Sequence, residues 1–240
     1  MYQFYLDEDL QVGNTYQLDQ QQTHHAKNVL RLHHETVRVV ANGKAYFADG
    51  YVDKQSFCVQ IQEEDTSPKE LSHQITLAIA LIRREKFEFV LQKATELGVS
   101  QIIPFVSSRC VVQERKDKQE RQKERWHTIV KEASAQCKRN RIPSVTDIQT
   151  VKDLINLDIQ QKYIAYENEA NTSPLLGDAI KKENSIIVIG PEGGFTKEEI
   201  EQFSANNYQM VSLGHRILRA ETAALYAMSL FSSNFERNEL

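Results

Sequence analysis

Apolar positions along the chain change their rhythm near residue 63. Before it, short apolar segments alternate with turn residues: Gln3 to Leu6, Thr15 to Leu18, Val37 to Val40, Lys44 to Phe47 and Ser56 to Ile61. Their length and β-branched content predict the strands of a small β-barrel or sandwich. Asn42-Gly43 stands between two of them and predicts a tight hairpin, because both central positions of such a turn need positive φ. Asp49-Gly50 marks a second turn, and Thr23 to Leu32 reads as a helix with Ala26, Val29 and Leu30 on one face.

The polar stretch Glu63 to Glu70, which contains Pro68, is read as a boundary between domains spanning 1–68 and 69–240. Beyond it the apolar runs are nearly continuous. Ile75 to Ile82 and Ile186 to Ile189 suit strands buried on both faces, which implies a parallel sheet covered by helices. Between and after them the pattern alternates. Arg83 to Lys86 is a charged turn; Phe87, Val90, Leu91, Ala94 and Leu97 recur at helical spacing up to Gly98. Gln101 to Val106 is a strand whose Pro104 implies an edge or a bulge. A long helix follows over Arg115 to Gln136, then strands at Val145 to Ile148, Tyr163 to Tyr166 and Gln209 to Leu213. Helices fall near Val151 to Leu157 and Pro174 to Lys181, after Thr196, and after Gly214 through Phe231. The fold class is α/β.

Composition narrows the setting. Hydrophobic residues make up 40% and charged residues 26% of the 240 residues, as in ordinary soluble globular proteins. A net charge of -4 means that any nucleic-acid binding rests on local basic patches. Cys58, Cys110 and Cys137 are far apart, and His24, His25, His33 and His34 lack partners at ligand spacing, so neither a disulfide framework nor a metal site is expected. No signal-like start or membrane-length apolar run is present, and a cytoplasmic location is expected.

Candidate chemistry concentrates in two glycine turns. Ser185 to Glu199 runs from a buried strand through Gly190-Pro191-Glu192-Gly193-Gly194 to a helix start, where Thr196 and Glu199 have capping-box spacing. The glycines match neither a P-loop nor a G-x-G-x-x-G pattern. The second turn, Gly214-His215-Arg216-Ile217-Leu218-Arg219-Ala220-Glu221, also leads from a strand into a helix. A third feature is basic: Lys138, Arg139 and Arg141 crowd the end of the long helix. They offer a phosphate site, or equally a set of cations complementing a helix C-terminus. Arg31 has two readings of its own, phosphate contact or solvated face.

The combination resembles the RsmE family of SPOUT-class methyltransferases, which use S-adenosylmethionine to methylate N3 of a uridine in 16S ribosomal RNA. The resemblance rests on H-A-K-N-V-L-R-L (His25 to Leu32), L-Q-K-A-T-E-L-G-V (Leu91 to Val99) and R-W with E-A-x-x-Q-C-K-R (Arg125 to Arg139). I-G-P-E-G-G-F (Ile189 to Phe195) and L-G-H-R-I-L-R-A-E-T-A (Leu213 to Ala223) complete it. The chain departs from the family at His34-Glu35, where Gly-Asp is usual, and at Ala220, where Thr is usual. The resemblance implies a PUA-like N-terminal barrel, a C-terminal domain with a trefoil knot, and a homodimer acting on the small ribosomal subunit.

On that resemblance, Ile189, Gly190, Glu192, Gly193, Leu213, Gly214, Ile217 and Leu218 are expected to form the cofactor pocket. Arg219 is expected to stabilise charge on the uracil carbonyls, since a guanidinium keeps its charge and its fixed donors in a partly dry site. Glu221 is expected to orient Arg219 or to accept a proton, unless it merely complements the helix dipole. Arg31, Arg109, Arg139 and Arg141 are the expected contacts to RNA phosphate. Two other readings remain open at this level: a non-catalytic RNA-binding or ribosome-assembly factor on the same fold, and a methyltransferase of this class acting on another RNA base.

Overall fold

The computed structural model describes residues 1–110, 119–166 and 173–236. The chain divides into two compact units, Met1–Glu70 with Ser134–Arg141, and Leu71–Ala133 with Ile142–Leu240.

The first unit is built on a five-stranded mixed sheet in the order β1-β3-β4-β5-β2. Its strands are β1 (Gln3–Leu6), β2 (Thr15–Gln17), β3 (His34–Ala41), β4 (Lys44–Asp53) and β5 (Ser56–Asp65). β1 runs parallel to β3, and β3, β4 and β5 form an antiparallel meander. The Asn42-Gly43 hairpin forms with φ of 50° and 78°, as its residues predict. Asp49-Gly50 is no turn: both residues lie within β4, and the chain reverses instead at Lys54, whose φ is 53°. Glycine at position 50 serves packing, because a Cβ there would stand 2.8 Å from the Phe57 ring. The expected helix begins earlier than its apolar periodicity indicates. Helix α1 (Gln20–His24) starts at Asp19, whose carboxylate accepts the Gln22 N–H at 2.7 Å, and continues as a π-helical turn over His25–Val29. Phe4, Leu18, Val37, Val39, Phe57, Val59 and Ile61 fill one core, each buried side chain contributing about 1.5–3 kcal/mol.

Residues Ser134–Arg141 belong to this unit through buried charge. Arg38 of β3 donates from Nε to Asp65 Oδ2 at 2.7 Å, from Nη1 to Gln3 Oε1 at 2.7 Å and the Lys138 carbonyl at 3.1 Å, and from Nη2 to Asn140 Oδ1 at 2.6 Å. Glu70 accepts from Arg139 Nη2 at 2.6 Å and from the backbone N–H groups of Asn140 and Arg141. Polar groups withdrawn from water demand such partners.

The second unit carries an all-parallel sheet in the order β12-β10-β11-β6-β7-β8, with β9 also on β7. The strands are β6 (Ile75–Ala80), β7 (Gln101–Val106), β8 (Ser144–Val145), β9 (Gln149–Thr150), β10 (Gln161–Ala165), β11 (Ser185–Ile189) and β12 (Gln209–Val211). Alternate side chains serve two cores. Ile75, Leu77 and Ile79 of β6 pack with α2 (Arg84–Glu96), α3 (Gln119–Cys137) and the C-terminal helix α7 (Ala220–Glu236). Ala78 and Ala80 pack on the other face with α4 (Val151–Ile155) and α6 (Lys197–Ala205). Burial on both faces is why these strands read as unbroken apolar runs. Helix α5 (Leu176–Ala179) is a single short turn. The expected start of α3 at Arg115 lies outside the described residues.

Two expectations change here. Arg83 to Lys86 is not a free turn, because α2 already begins at Arg84 and Lys86 falls in its first turn. The strand expected at Val145 to Ile148 is split into β8 and β9, and Pro104 accounts for the break. Thr146 N–H donates to the Ile102 carbonyl and Leu81 N–H to the Phe105 carbonyl, so even-numbered residues of β7 face the edge. Pro104, which has no N–H, therefore faces the gap between the two edge pieces.

Candidate active site

Both glycine turns open at the C-terminal edge of the parallel sheet, the usual position of a ligand crevice in such folds. Gly190-Pro191-Glu192-Gly193-Gly194 follows β11. Gly194 takes the left-handed conformation at φ 67° and its N–H donates to the Pro191 carbonyl at 2.9 Å, closing the turn. Gly190 lies under Phe195: a Cβ there would stand 2.8 Å from the ring. Thr196 and Glu199 form the capping box that their spacing predicts. Glu199 does more than cap, since its Oε1 also accepts from the Ser108 N–H at 2.8 Å and the Ser108 hydroxyl at 3.0 Å. That bond fixes the loop after β7, from which Arg109 donates to the Gly193 carbonyl at 3.1 Å.

The second turn follows β12. The Ser212 hydroxyl accepts the Gly214 N–H at 3.1 Å, and Gly214 adopts φ 108° with no atom within 4 Å of the place a Cβ would occupy. Its backbone therefore faces open space. The two turns enclose a cleft of about 210 Å³ whose walls include Gly190, Glu192, Gly214, Leu218 and Arg219.

Charge gathers at the back of the cleft. Lys86 Nζ stands 3.1 Å from Glu221 Oε1 and 3.8 Å from Glu192 Oε1. Burial opposes ionisation of Glu221, but its own backbone N–H, the Lys86 ammonium and the Arg219 charge outweigh it and hold the carboxyl below its ordinary range. Its second oxygen, Oε2, is buried without a hydrogen-bond partner.

Residues 69–232 match the RNA methyltransferase domain family. Ribosomal RNA small subunit methyltransferase E of Bacillus subtilis is 31% identical over 95% of this chain and 94% of its own length. The enzyme of that name from Neisseria gonorrhoeae, solved bound to S-adenosyl methionine, superposes with a TM-score of 0.88 at 34% identity, over 98% of each chain. A methyltransferase structure from Legionella pneumophila in complex with bound SAM gives 0.87 at 30% identity, over 97% of each chain. The chain belongs to the RsmE family of RNA methyltransferases.

In this RsmE-family chain the cleft brings together most of the residues singled out from sequence. Ile189, Gly190, Glu192, Leu213, Gly214, Ile217, Leu218 and Arg219 all line it. Gly193 does not; it faces Arg109, whose Cβ would be 3.1 Å from a Cβ at that position. Glu221 lies just behind the lining, paired with Lys86. Lys86 itself escaped the sequence reading. The signal was its place directly after the buried run Ile75 to Ile82, at the same edge of the sheet as the glycine turns.

The expected phosphate contacts separate. Arg31 and Arg141 are exposed; Arg31 ends the first helix in the left-handed conformation at φ 57°. Arg109 is held at Gly193. Arg139 is only 4% exposed and pairs with Glu70, its Nη2 standing 2.6 Å from Glu70 Oε2. Burial and the neighbouring Arg38 also lower the pKa of Lys138. Among the described residues no three His, Cys, Asp or Glu side chains gather where they would hold a metal ion. No described helix is long and apolar enough to cross a membrane.

Proposed function

We propose that this chain transfers a methyl group from S-adenosylmethionine to N3 of a uridine in 16S rRNA of the small ribosomal subunit, in the cytoplasm. The carrying observation is the cleft between the two glycine turns with Arg219 in its wall, in a chain that aligns over 98% of its length with the SAM-bound ribosomal RNA small subunit methyltransferase E of Neisseria gonorrhoeae. The residues fit the cofactor. Gly214 leaves open backbone where a nucleoside can lie against the main chain, and Leu213, Ile217 and Leu218 give an apolar lining.

Bound S-adenosylmethionine supplies the electrophilic methyl group. The protein's task is alignment of uracil N3 with that methyl group and stabilisation of the anion left when N3 loses its proton. Arg219 places a permanent planar cation in the cleft wall, suited to the charge that builds on the uracil carbonyls. Glu221, paired with Lys86 just behind the wall, orients Arg219 or accepts the N3 proton.

The finer architecture follows the same reading. Residues 1–68 act as a PUA-like RNA-binding barrel, supported by the single core that the five strands wrap. Residues 69–240 form the methyltransferase domain with a trefoil knot through the second turn. Ser212 supports this, for it donates its N–H to the Pro174 carbonyl and accepts at its own carbonyl from the Leu176 N–H, joining that turn to the loop after β10. A homodimer is supported by the large apolar side chains left exposed around the cleft elements, Leu175, Tyr226 and Ile217, the last 85% exposed. Arg31, Arg109 and Arg141 contact RNA phosphate.

The test is mass mapping of the nucleotide modified when the protein, labelled S-adenosylmethionine and unmodified small subunits are incubated together. Label on N3 of one 16S uridine is the expected result. Label on another base or on transfer RNA overturns the target, and no transfer to RNA favours a non-catalytic binding factor.

A further inference from the structure

Lys86 occupies the first turn of α2, directly beyond β6, and β6 neighbours β11 in the sheet. Its ammonium lies between two carboxylates that come from opposite walls of the cleft. Glu192 belongs to the first glycine turn and lines the cleft. Glu221 follows Arg219 and Ala220, both of which line it. Lys86 and Glu221 are not lining residues themselves, so the cation joins the two walls from behind. Among the described residues no other ion pair reaches either carboxylate.

The arrangement has a definite consequence if the cation is removed. Two carboxylates would face each other across a partly desolvated space, where like charges repel and nothing offsets the burial of Glu221. The nearest remaining cation associated with Glu221 is Arg219. It would be drawn back toward the carboxylates and away from the cleft. We propose that Lys86 is a positioning residue that staples the two glycine turns at the separation at which the cleft accepts S-adenosylmethionine, and that it leaves Arg219 available to the substrate. The inference rests on the cofactor reading of the cleft.

The experiment is isothermal titration of the full chain with S-adenosylmethionine, paired with kcat measured on small subunits at saturating cofactor. Lys86→Met keeps the length of the stem and removes the charge. It is expected to weaken cofactor binding about tenfold, the scale of one lost charge-assisted hydrogen bond, and to lower kcat as well. Lys86→Arg, which keeps the charge, is expected to restore binding to within about threefold. The losses of Lys86→Met and Glu221→Gln should overlap in the double variant, because both break the same contact. Wild-type binding by Lys86→Met overturns the proposal, as do additive losses in the double variant or a Lys86→Arg variant as weak as Lys86→Met. Failure of the unaltered protein to bind S-adenosylmethionine is a separate result and would overturn the cofactor reading itself. Should Lys86→Met not fold, Lys86→Gln carries the same expectations.

Discussion

Each compact unit gathers a cluster of charge, and the two clusters are finished differently. In the first unit, all three guanidinium nitrogens of Arg38 donate, Asp65 and Glu70 accept several bonds each, and the Arg38 and Asp65 side chains are nearly sealed from water. Behind the cleft of the second unit, one ammonium serves two carboxylates, Glu221 Oε2 has no partner, and Arg219 is exposed in the cleft wall. A closed network specifies architecture; an open one leaves capacity for a ligand. The same contrast separates two glutamates of like sequence position. Glu199 and Glu221 both sit in the first turn of a helix after a glycine turn, yet Glu199 spends both oxygens on Ser108 and Thr196.

The comparison breaks most readily at Arg38. Replacing it by Ala leaves Asp65 buried without its cation and should cost about 3–5 kcal/mol in chemical denaturation. A loss below about 1 kcal/mol would mean that closure contributes little. Acid titration adds a second check. Burial works against the Asp65 carboxylate, but bonds from Ser67 and Arg38 hold its pKa at about 2, below the unfolded value. The stability it contributes is present above the unfolded pKa and is lost as pH falls through the folded one, so unfolding should set in between about pH 4 and pH 2. Arg38→Ala should flatten that dependence.

Next in size is Arg219. If the open cluster is the functional one, Arg219→Ala should lower kcat by about 10²–10³-fold, the usual effect of removing one stabilising donor, while folding and cofactor affinity change little. Wild-type turnover would remove Arg219 from the reaction.

The sequence makes this contrast only partly legible. The parallel sheet was readable because burial on both faces leaves continuous runs such as Ile75 to Ile82, and the two turns because Gly190, Gly194 and Gly214 punctuate strand ends. Most of the cleft followed from those turns. In the basic run at Lys138 to Arg141 the pairing of Arg139 was not legible, because composition reports charges and not their partners. Glu70 lies about seventy positions away, and Arg38 sits in an ordinary strand pattern. Lys86 was hidden for the converse reason: R-R-E-K looks like a solvated turn until the sheet brings its edge beside Glu192 and Glu221. Gly50 was misread as a turn because a glycine needed for close packing has the same letter as one needed for positive φ.

A smaller effect sharpens the glutamate pair. Thr196→Ala removes the hydroxyl that accepts the Glu199 N–H and should cost about 1 kcal/mol in thermal or chemical unfolding, with methyl transfer unchanged. A large fall in turnover would show that the closed end of the first glycine turn is not merely architectural.

The smallest expected effect tests the first unit's two neighbouring arginines against each other. Arg139 and Arg141 are two residues apart, and sequence alone gives both to phosphate. Arg139 is enclosed by Glu70, while Arg141 is exposed beside the Asn42-Gly43 hairpin, its Nε 3.5 Å from where a Cβ on Gly43 would stand. A cation that neutralises a phosphate releases a counterion, so its loss lowers the slope of log K against log salt by about 0.7–0.9. Arg141→Ala should show that reduction in RNA binding with little change in stability. Arg139→Ala should do the reverse, leaving the slope intact in whatever fraction remains folded and destabilising the unit by removing the cation that pairs with Glu70, which keeps only the Asn140 and Arg141 N–H groups. An unchanged slope for Arg141→Ala would move it to the solvated surface. A reduced slope for Arg139→Ala would mean that its pairing with Glu70 opens when RNA binds, and that a closed network in this protein can still be recruited.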